Sequence, residues 1–206
     1  RLGVWDLIPI LSYVFLRGRC RYCQSRVPPI YLVGESLTAL SFYVVYKHLG
    51  WQWELLVGWV PASLLVLALL TDLQEKLILD RITFPVLALL LLLRLVIGEE
   101  PLWWYISGGL LGAFILLLLA VLSKGGMGGG DIKLYLAAGV ALGPGLTLLS
   151  IVLSAFAGTV IGGILQLAGR VRRKQPIPFA PFIWFGVMAA YLYGTELWRW
   201  YLGLLL

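Results

Sequence analysis

Residues 102–122, LWWYISGGLLGAFILLLLAVL, run for 21 positions without a charged side chain. As a helix such a stretch reaches about 31 Å, enough to cross a bilayer core of about 30 Å. Residues 51–71 form a second stretch of the same length, and further apolar segments fall near 30–48, 83–97, 131–142, 147–168 and 181–204. The fifth, 131–142, makes a helix of only about 18 Å, too short to span unless it continues through Gly143-Pro144-Gly145. With 61% hydrophobic and 13% charged residues and a mean hydropathy of +0.93, the chain has too much apolar surface to hide in a soluble domain. The expected fold is an all-α membrane protein, a polytopic bundle of about seven transmembrane helices.

The charges give an orientation. Arg1, Arg17, Arg19, Arg21, Arg26, Lys76, Arg81, Lys124, Lys133, Arg170, Arg172, Arg173 and Lys174 all fall on one side of an alternating topology. The other side receives Lys47, Arg199 and the Glu99-Glu100 pair, with Arg94 within the third segment. The positive-inside rule makes the first side cytoplasmic. Trp51, Trp53, Trp103, Trp104, Trp198 and Trp200 gather at the opposite ends of the segments, as an interfacial aromatic belt does. The net charge of +6 is therefore no sign of nucleic-acid binding, and none is expected. The chain opens on Arg1 with neither a Met nor a signal peptide, so it is expected to start inside a longer natural protein.

Acidic residues at membrane depth are few. Asp72, in LLTDLQ, and Asp131, in GGMGGGDIKL, stand at the same face of the expected bundle. Buried carboxylates are costly and usually face a bundle interior with a task to perform. Two that meet would share a proton, because like charges in contact do not both ionise easily. One could then activate water while the other polarises a peptide carbonyl, an aspartic-protease chemistry that needs no metal. Gly128-Gly129-Gly130 would let a substrate backbone approach Asp131 without a Cβ in the way.

Simpler readings stay open. Asp131 could N-cap its helix, Asp72 could end a span beside Lys76 at i+4, and the glycine run could be a linker. The run is neither a P-loop nor a Rossmann fingerprint, since no G-K-[ST] follows and no soluble strand precedes it.

An ordered set of segments resembles the prepilin peptidases, the type IV leader peptidases among the GxGD intramembrane aspartic proteases. LTDLQEKLILDRITFP resembles the segment of the family's first catalytic aspartate, with Thr83 retained where a proline is lost. Gly128-Gly129-Gly130-Asp131, followed by Lys133-Leu134, matches the GxGD motif. PIPFAPFIWFG is similar to the family's I-P-F-x-P-F segment, and PPIYLVGESLTAL to its Y-P-x-x-E-x-x-T entry, with Leu32 in place of proline. DLIPILSYVFLRGRCRYC resembles the cytoplasmic region between the family's first two spans.

The resemblance implies a catalytic dyad of Asp72 and Asp131 that cuts the leader of prepilins and pseudopilins. It places substrate contacts at Gly128, Gly129, Gly130 and Lys133, and it implies a bacterial inner-membrane location with the active site facing the cytoplasm. It further implies N-methylation of the new terminus with S-adenosylmethionine, with Glu35 matching a glutamate associated with that step. An ordinary interfacial carboxylate is the other reading of Glu35. The domains expected are a cytoplasmic element over 1–29, a linking transmembrane helix over 30–50, and a six-helix peptidase over 51–206.

Two departures stand out: seven spans where the family generally has eight, and one C-x-x-C, Cys20 and Cys23, where many members have two. Zinc at Cys20 and Cys23 and a pair of reduced thiols are both open, since two cysteines alone do not close a four-ligand site. Two other functional classes also fit acidic residues beside a glycine-broken segment. One is a proton- or cation-coupled transporter, although its site would usually lie at midplane. The other is a scaffold that binds pilin-like stems without cutting.

Overall fold

The computed structural model describes residues 3–123, 128–169 and 178–205. Arg1, Lys124, the basic group Arg170 to Lys174, and Pro176-Ile177 of the PIPF segment lie outside the described residues.

The N-terminal element is small. A 3-10 turn, Val4–Leu7, and a short helix α1, Leu11–Phe15, lead into a tight hairpin joined by one antiparallel bridge between Arg19 and Arg26. Cys20 and Cys23 sit at its tip, where the Cys20 N–H donates to the Ser25 carbonyl at 2.9 Å. The element is tied to the next helix by the Ile10 N–H, which donates to Glu35 Oε2 at 2.7 Å.

Six longer helices follow: α2 Pro29–Leu49, α3 Glu54–Glu75, α4 Asp80–Ile97, α5 Leu102–Leu122, α6 Gly129–Leu167 and α7 Ala180–Leu205. Pro29 begins α2 with its φ already set, where a missing N–H costs nothing. Gly50, at φ 73°, closes α2 by donating its N–H to the Tyr46 carbonyl. Among the described residues there are only helices and that one bridge, an all-α architecture as expected.

α6 holds two of the seven expected segments. It is 39 residues long, yet Gly143 breaks it with φ 74° and ψ 170°. The hydroxyls of Tyr135 and Ser154 lie 2.9 Å apart although 19 positions separate them. A straight helix would hold those Cα atoms about 28 Å apart. The chain must therefore fold back at Gly143, giving a short limb over 129–142 and a longer one over 144–167. Pro144, which has no N–H to continue the ladder, explains why the break falls here.

Small residues allow α5 to lie against this hairpin. A Cβ at Gly108 would stand 2.5 Å from the Gly139 carbonyl oxygen, and one at Gly139 2.5 Å from that of Gly108. Gly108-x-x-x-Gly112 meets Gly139-x-x-x-Gly143, so the backbones touch where lipid offers no hydrophobic driving force. The main core draws on α3, α4, α6 and α7 through Leu65, Leu90, Leu134, Tyr135 and Ile183. Val45, Leu55, Met188 and Leu192 join α2, α3 and α7 in a second cluster.

Outside, Phe114, Leu117, Leu118, Val121 and Leu122 of α5 are exposed, an apolar surface suited to lipid. Among the described residues, α3, α5 and α6 are long and apolar enough to cross a membrane. α4 is the shortest of the six longer helices, with 18 residues that include Asp80, Arg81 and Arg94. The protein is a helical membrane protein.

Candidate active site

Asp72 occupies the last turn of α3. Lys76 then turns left-handed at φ 53° and donates its N–H to the Asp72 carbonyl, and the chain reverses through 77–79 into α4. The helix runs past Asp72 to Glu75, so this carboxylate belongs to the span rather than to the loop after it. Asp131 stands at the third position of α6. Gly128 is the N-cap, and Asp131 donates its own N–H to the Gly128 carbonyl at 3.2 Å. No side chain caps this helix, so N-capping does not explain Asp131.

Asp72 is 9% and Asp131 6% exposed, and both line one open cavity of about 470 Å³. The remaining wall comes from Lys76, Leu77, Ile78 and Asp80 on one side and from Gly128, Gly129, Gly130 and Lys133 on the other. A cavity of this size, open to one face and holding two convergent carboxylates, has room for an extended peptide backbone and a water.

The glycines are not equivalent. A Cβ at Gly130 would stand 2.8 Å from Ile78 Cβ, so this position must be bare for α6 to start beside the α3–α4 turn. A Cβ at Gly129 would meet nothing within 4 Å, and one at Gly128 only Asp131 Oδ2 at 3.6 Å. Lys133 lines the cavity, but its ammonium is already engaged by Asp80, 2.8 Å and 2.7 Å from the two carboxylate oxygens.

One participant escaped the sequence reading altogether. The backbone N–H of Ala180, at the start of α7, donates to Asp72 Oδ2 at 3.1 Å. The first N–H groups of a helix lack partners within it, and a carboxylate is their natural acceptor. A main-chain donor has no residue type to recognise. The only signal was the PIPFAPF segment, which marks the start of α7 without saying what its amides touch.

Glu35 lies elsewhere. It lines a separate cavity of about 270 Å³ with Asp6, Tyr13, Arg21 and Tyr31 from the N-terminal element and α2. Cys20 and Cys23 are free thiols, with Cys23 Sγ 3.0 Å from Ser25 Oγ. Among the described residues no group of three or more His, Cys, Asp or Glu is placed to hold a metal. Two thiols do not fit a closed zinc site.

Comparison with known proteins gives the chain a family. Residues 59–163 match the type IV leader peptidase family, and residues 1–49 match the bacterial peptidase A24 N-terminal domain. The prepilin leader peptidase/N-methyltransferase of Bacillus subtilis (strain 168) is 37% identical over 197 residues, covering 96% of this chain and 79% of that protein. The protein of the same name from Aeromonas hydrophila is 35% identical over 200 residues, 95% of this chain and 69% of that one. For the one from Neisseria gonorrhoeae the identity is 31% over 203 residues, 96% and 70%. No solved structure matches. Taken with the two buried aspartates beside a glycine-lined recess, these matches mean that the chain belongs to the type IV leader peptidase family.

Proposed function

We propose that this protein removes the leader peptide of prepilins and pseudopilins at the cytoplasmic face of the bacterial inner membrane, with Asp72 and Asp131 as the catalytic pair. The observation that carries the reading is the meeting of these two buried carboxylates in one cavity beside Gly128-Gly129-Gly130. One carboxylate takes a proton from water, and the resulting hydroxide attacks the scissile carbonyl carbon. The other, protonated, hydrogen-bonds the carbonyl oxygen as it gains charge. Collapse of the tetrahedral intermediate breaks the C–N bond as the leaving nitrogen takes up the proton that the first carboxylate took from water. The Ala180 N–H holds one oxygen of Asp72, which orients the carboxylate toward the cavity. The bare glycine edge lets an extended substrate lie against the start of α6.

Both aspartates lie at one end of their helices rather than near the middle, which counts against a transport site. The same end suits a substrate whose basic leader stays in the cytoplasm while its apolar stem lies in the membrane.

The relatives' names join cleavage to N-methylation, and we extend that second activity to this chain. S-Adenosylmethionine, when bound, supplies an electrophilic methyl group to the amine that cleavage exposes. The N-terminal cavity is lined by Asp6, Glu35, Tyr13 and Tyr31 beside Arg19 and Arg21, and Arg21 Nε already pairs with Asp6 at 2.9 Å, which leaves Glu35 and the two rings to face a sulfonium cation. Glu35 is partly committed, because its Oε2 accepts the Ile10 N–H. Proteolysis needs no cofactor in this scheme.

The test is cleavage of a leader-bearing prepilin by the detergent-solubilised protein, with Asp72→Asn and Asp131→Asn alongside. Cleavage by the unmutated chain and its loss in both folded variants is the expected result. Full activity in either variant, or none in the unmutated chain, overturns the reading.

A further inference from the structure

The short limb 129–142 has Asp131 at one end and a break at the other. At that break, the carbonyls of the last turn have no partners within the limb. Gly143 leaves helical geometry and Pro144 brings no N–H. In hydrocarbon such carbonyls need a donor. The one at Ala141 is met by Arg94 of α4, whose Nη2 donates to it.

Arg94 is itself held from several sides. Its Nη1 donates to both carboxylate oxygens of Glu54, at 2.9 Å and 3.1 Å. Its guanidinium lies over the Tyr105 ring, 4.4 Å from the centroid. Tyr191 donates its hydroxyl to Glu54, 3.2 Å from both the backbone oxygen and Oε1. Side chains from α3, α4, α5 and α7 thus converge on the end of the short limb. Arg94 is only 7% exposed. A charge buried at membrane depth is retained for a reason. A guanidinium serves a carboxylate, a carbonyl and an aromatic face together through a rigid planar fork, a geometry that the compact lysine ammonium does not reproduce.

We propose that Arg94, backed by Glu54, is a positioning residue: it pins the broken end of the limb 129–142 and so sets the depth at which Asp131 faces Asp72. Ten residues of rigid helix, about 15 Å, connect Ala141 to Asp131, so a slip at one end is delivered to the other. The inference rests on Asp72 and Asp131 being the catalytic pair.

The experiment compares Arg94→Met and Arg94→Lys with the unmutated protein in detergent, by prepilin cleavage and by the distance between nitroxide labels on Glu75→Cys and Gly129→Cys. The label pair is placed in a background lacking Cys20 and Cys23, and thermal unfolding is followed for each variant. In Arg94→Met, kcat is expected to fall about 10- to 100-fold, the scale of an ångström misplacement. KM stays within about twofold, and the label distance shifts or broadens in protein that remains folded. Arg94→Lys, which keeps the charge but not the fork, recovers part of kcat, and it carries the test if Arg94→Met does not fold. An unchanged label distance, or a rate loss matched by loss of folded protein, overturns the proposal. A rise in KM with kcat unchanged does so too. If the distance shifts as expected while Asp131→Asn still cleaves, the dyad reading fails and the structural anchor remains.

Discussion

The carboxylate of Asp72, at the end of α3, and the backbone N–H of Ala180, at the start of α7, are joined by a 3.1 Å hydrogen bond. The two residues are 108 positions apart in the chain. The bond also gives a physical task to the segment around Phe179-Ala180-Pro181. Phe179 supplies the carbonyl that starts α7, accepting from Phe182 and Ile183, and Pro181 has no N–H to place, so the Ala180 amide is left for Asp72.

Replacing Ala180 by proline removes that donor while a helix start still tolerates the ring. Hydrogen bonds to charged groups are worth roughly 1.5–3 kcal/mol, so cleavage should fall roughly 10- to 100-fold. Ala180→Gly, which retains the N–H, should stay within a few-fold of the unmutated rate. Equal losses in the two variants would mean that packing at this fully buried position matters and the amide does not.

Gly129 and Gly130 are neighbours with different fates. Gly130→Ala drives a Cβ into Ile78, so the start of α6 must move off the α3–α4 turn, taking Asp131 with it. Overpacking of this kind costs about 1–3 kcal/mol. Gly129→Ala adds its methyl to open space and should leave unfolding temperature unchanged. Thermal unfolding and cleavage measured on both variants check the contrast, and a Gly129→Ala protein as unstable as Gly130→Ala would contradict it.

Gly143 adopts φ 74°, and a Cβ there would lie 2.9 Å from Trp104 Nε1. Strain at a left-handed position costs about 1–3 kcal/mol, before the indole is displaced. Gly143→Ala is expected to lower stability by at least that amount, read by unfolding in mixed detergent. Neutral behaviour would mean that the fold-back of α6 does not depend on this residue.

Cys23 is exposed at the hairpin tip, and its hydrogen bonds with the Ser25 side chain and backbone, with help from the Cys20 thiol, pull its pKa down to about 7. A lowered thiol pKa means more thiolate at a given pH. Alkylation of Cys23, followed by peptide mass spectrometry, should therefore rise through pH 7 and level off above about pH 8. Ser25→Ala should move the midpoint upward, and a rate that keeps climbing to pH 9 in the unmutated protein would exclude the shift.

By itself the sequence determined the helical class and the bounds of most elements, because a span needs a run of apolar residues and such runs are local. It also singled out Asp72 and Asp131, since a carboxylate in apolar surroundings is conspicuous by type. The seven expected segments appear as six longer helices, the fifth and sixth joined as limbs of α6 about Gly143. Gly143-Pro144-Gly145 flagged that break, yet continuation through it stayed open because a proline inside a pattern can kink a helix or end it. The pairing of Gly108-x-x-x-Gly112 with Gly139-x-x-x-Gly143 was printed in the chain too, although a small-residue motif does not name its partner.

Only the tertiary structure decided the rest. It turned Lys133 toward Asp80, aimed the Ala180 amide at Asp72, and gathered Glu54, Arg94, Tyr105 and Tyr191 around the Ala141 carbonyl. In the sequence Arg94 and Glu54 were merely charges near one face. Their roles arise from distances between helices that are remote in the chain, and from backbone groups that look alike at every position. Local pattern records what each segment is made of, while its neighbours are chosen by packing.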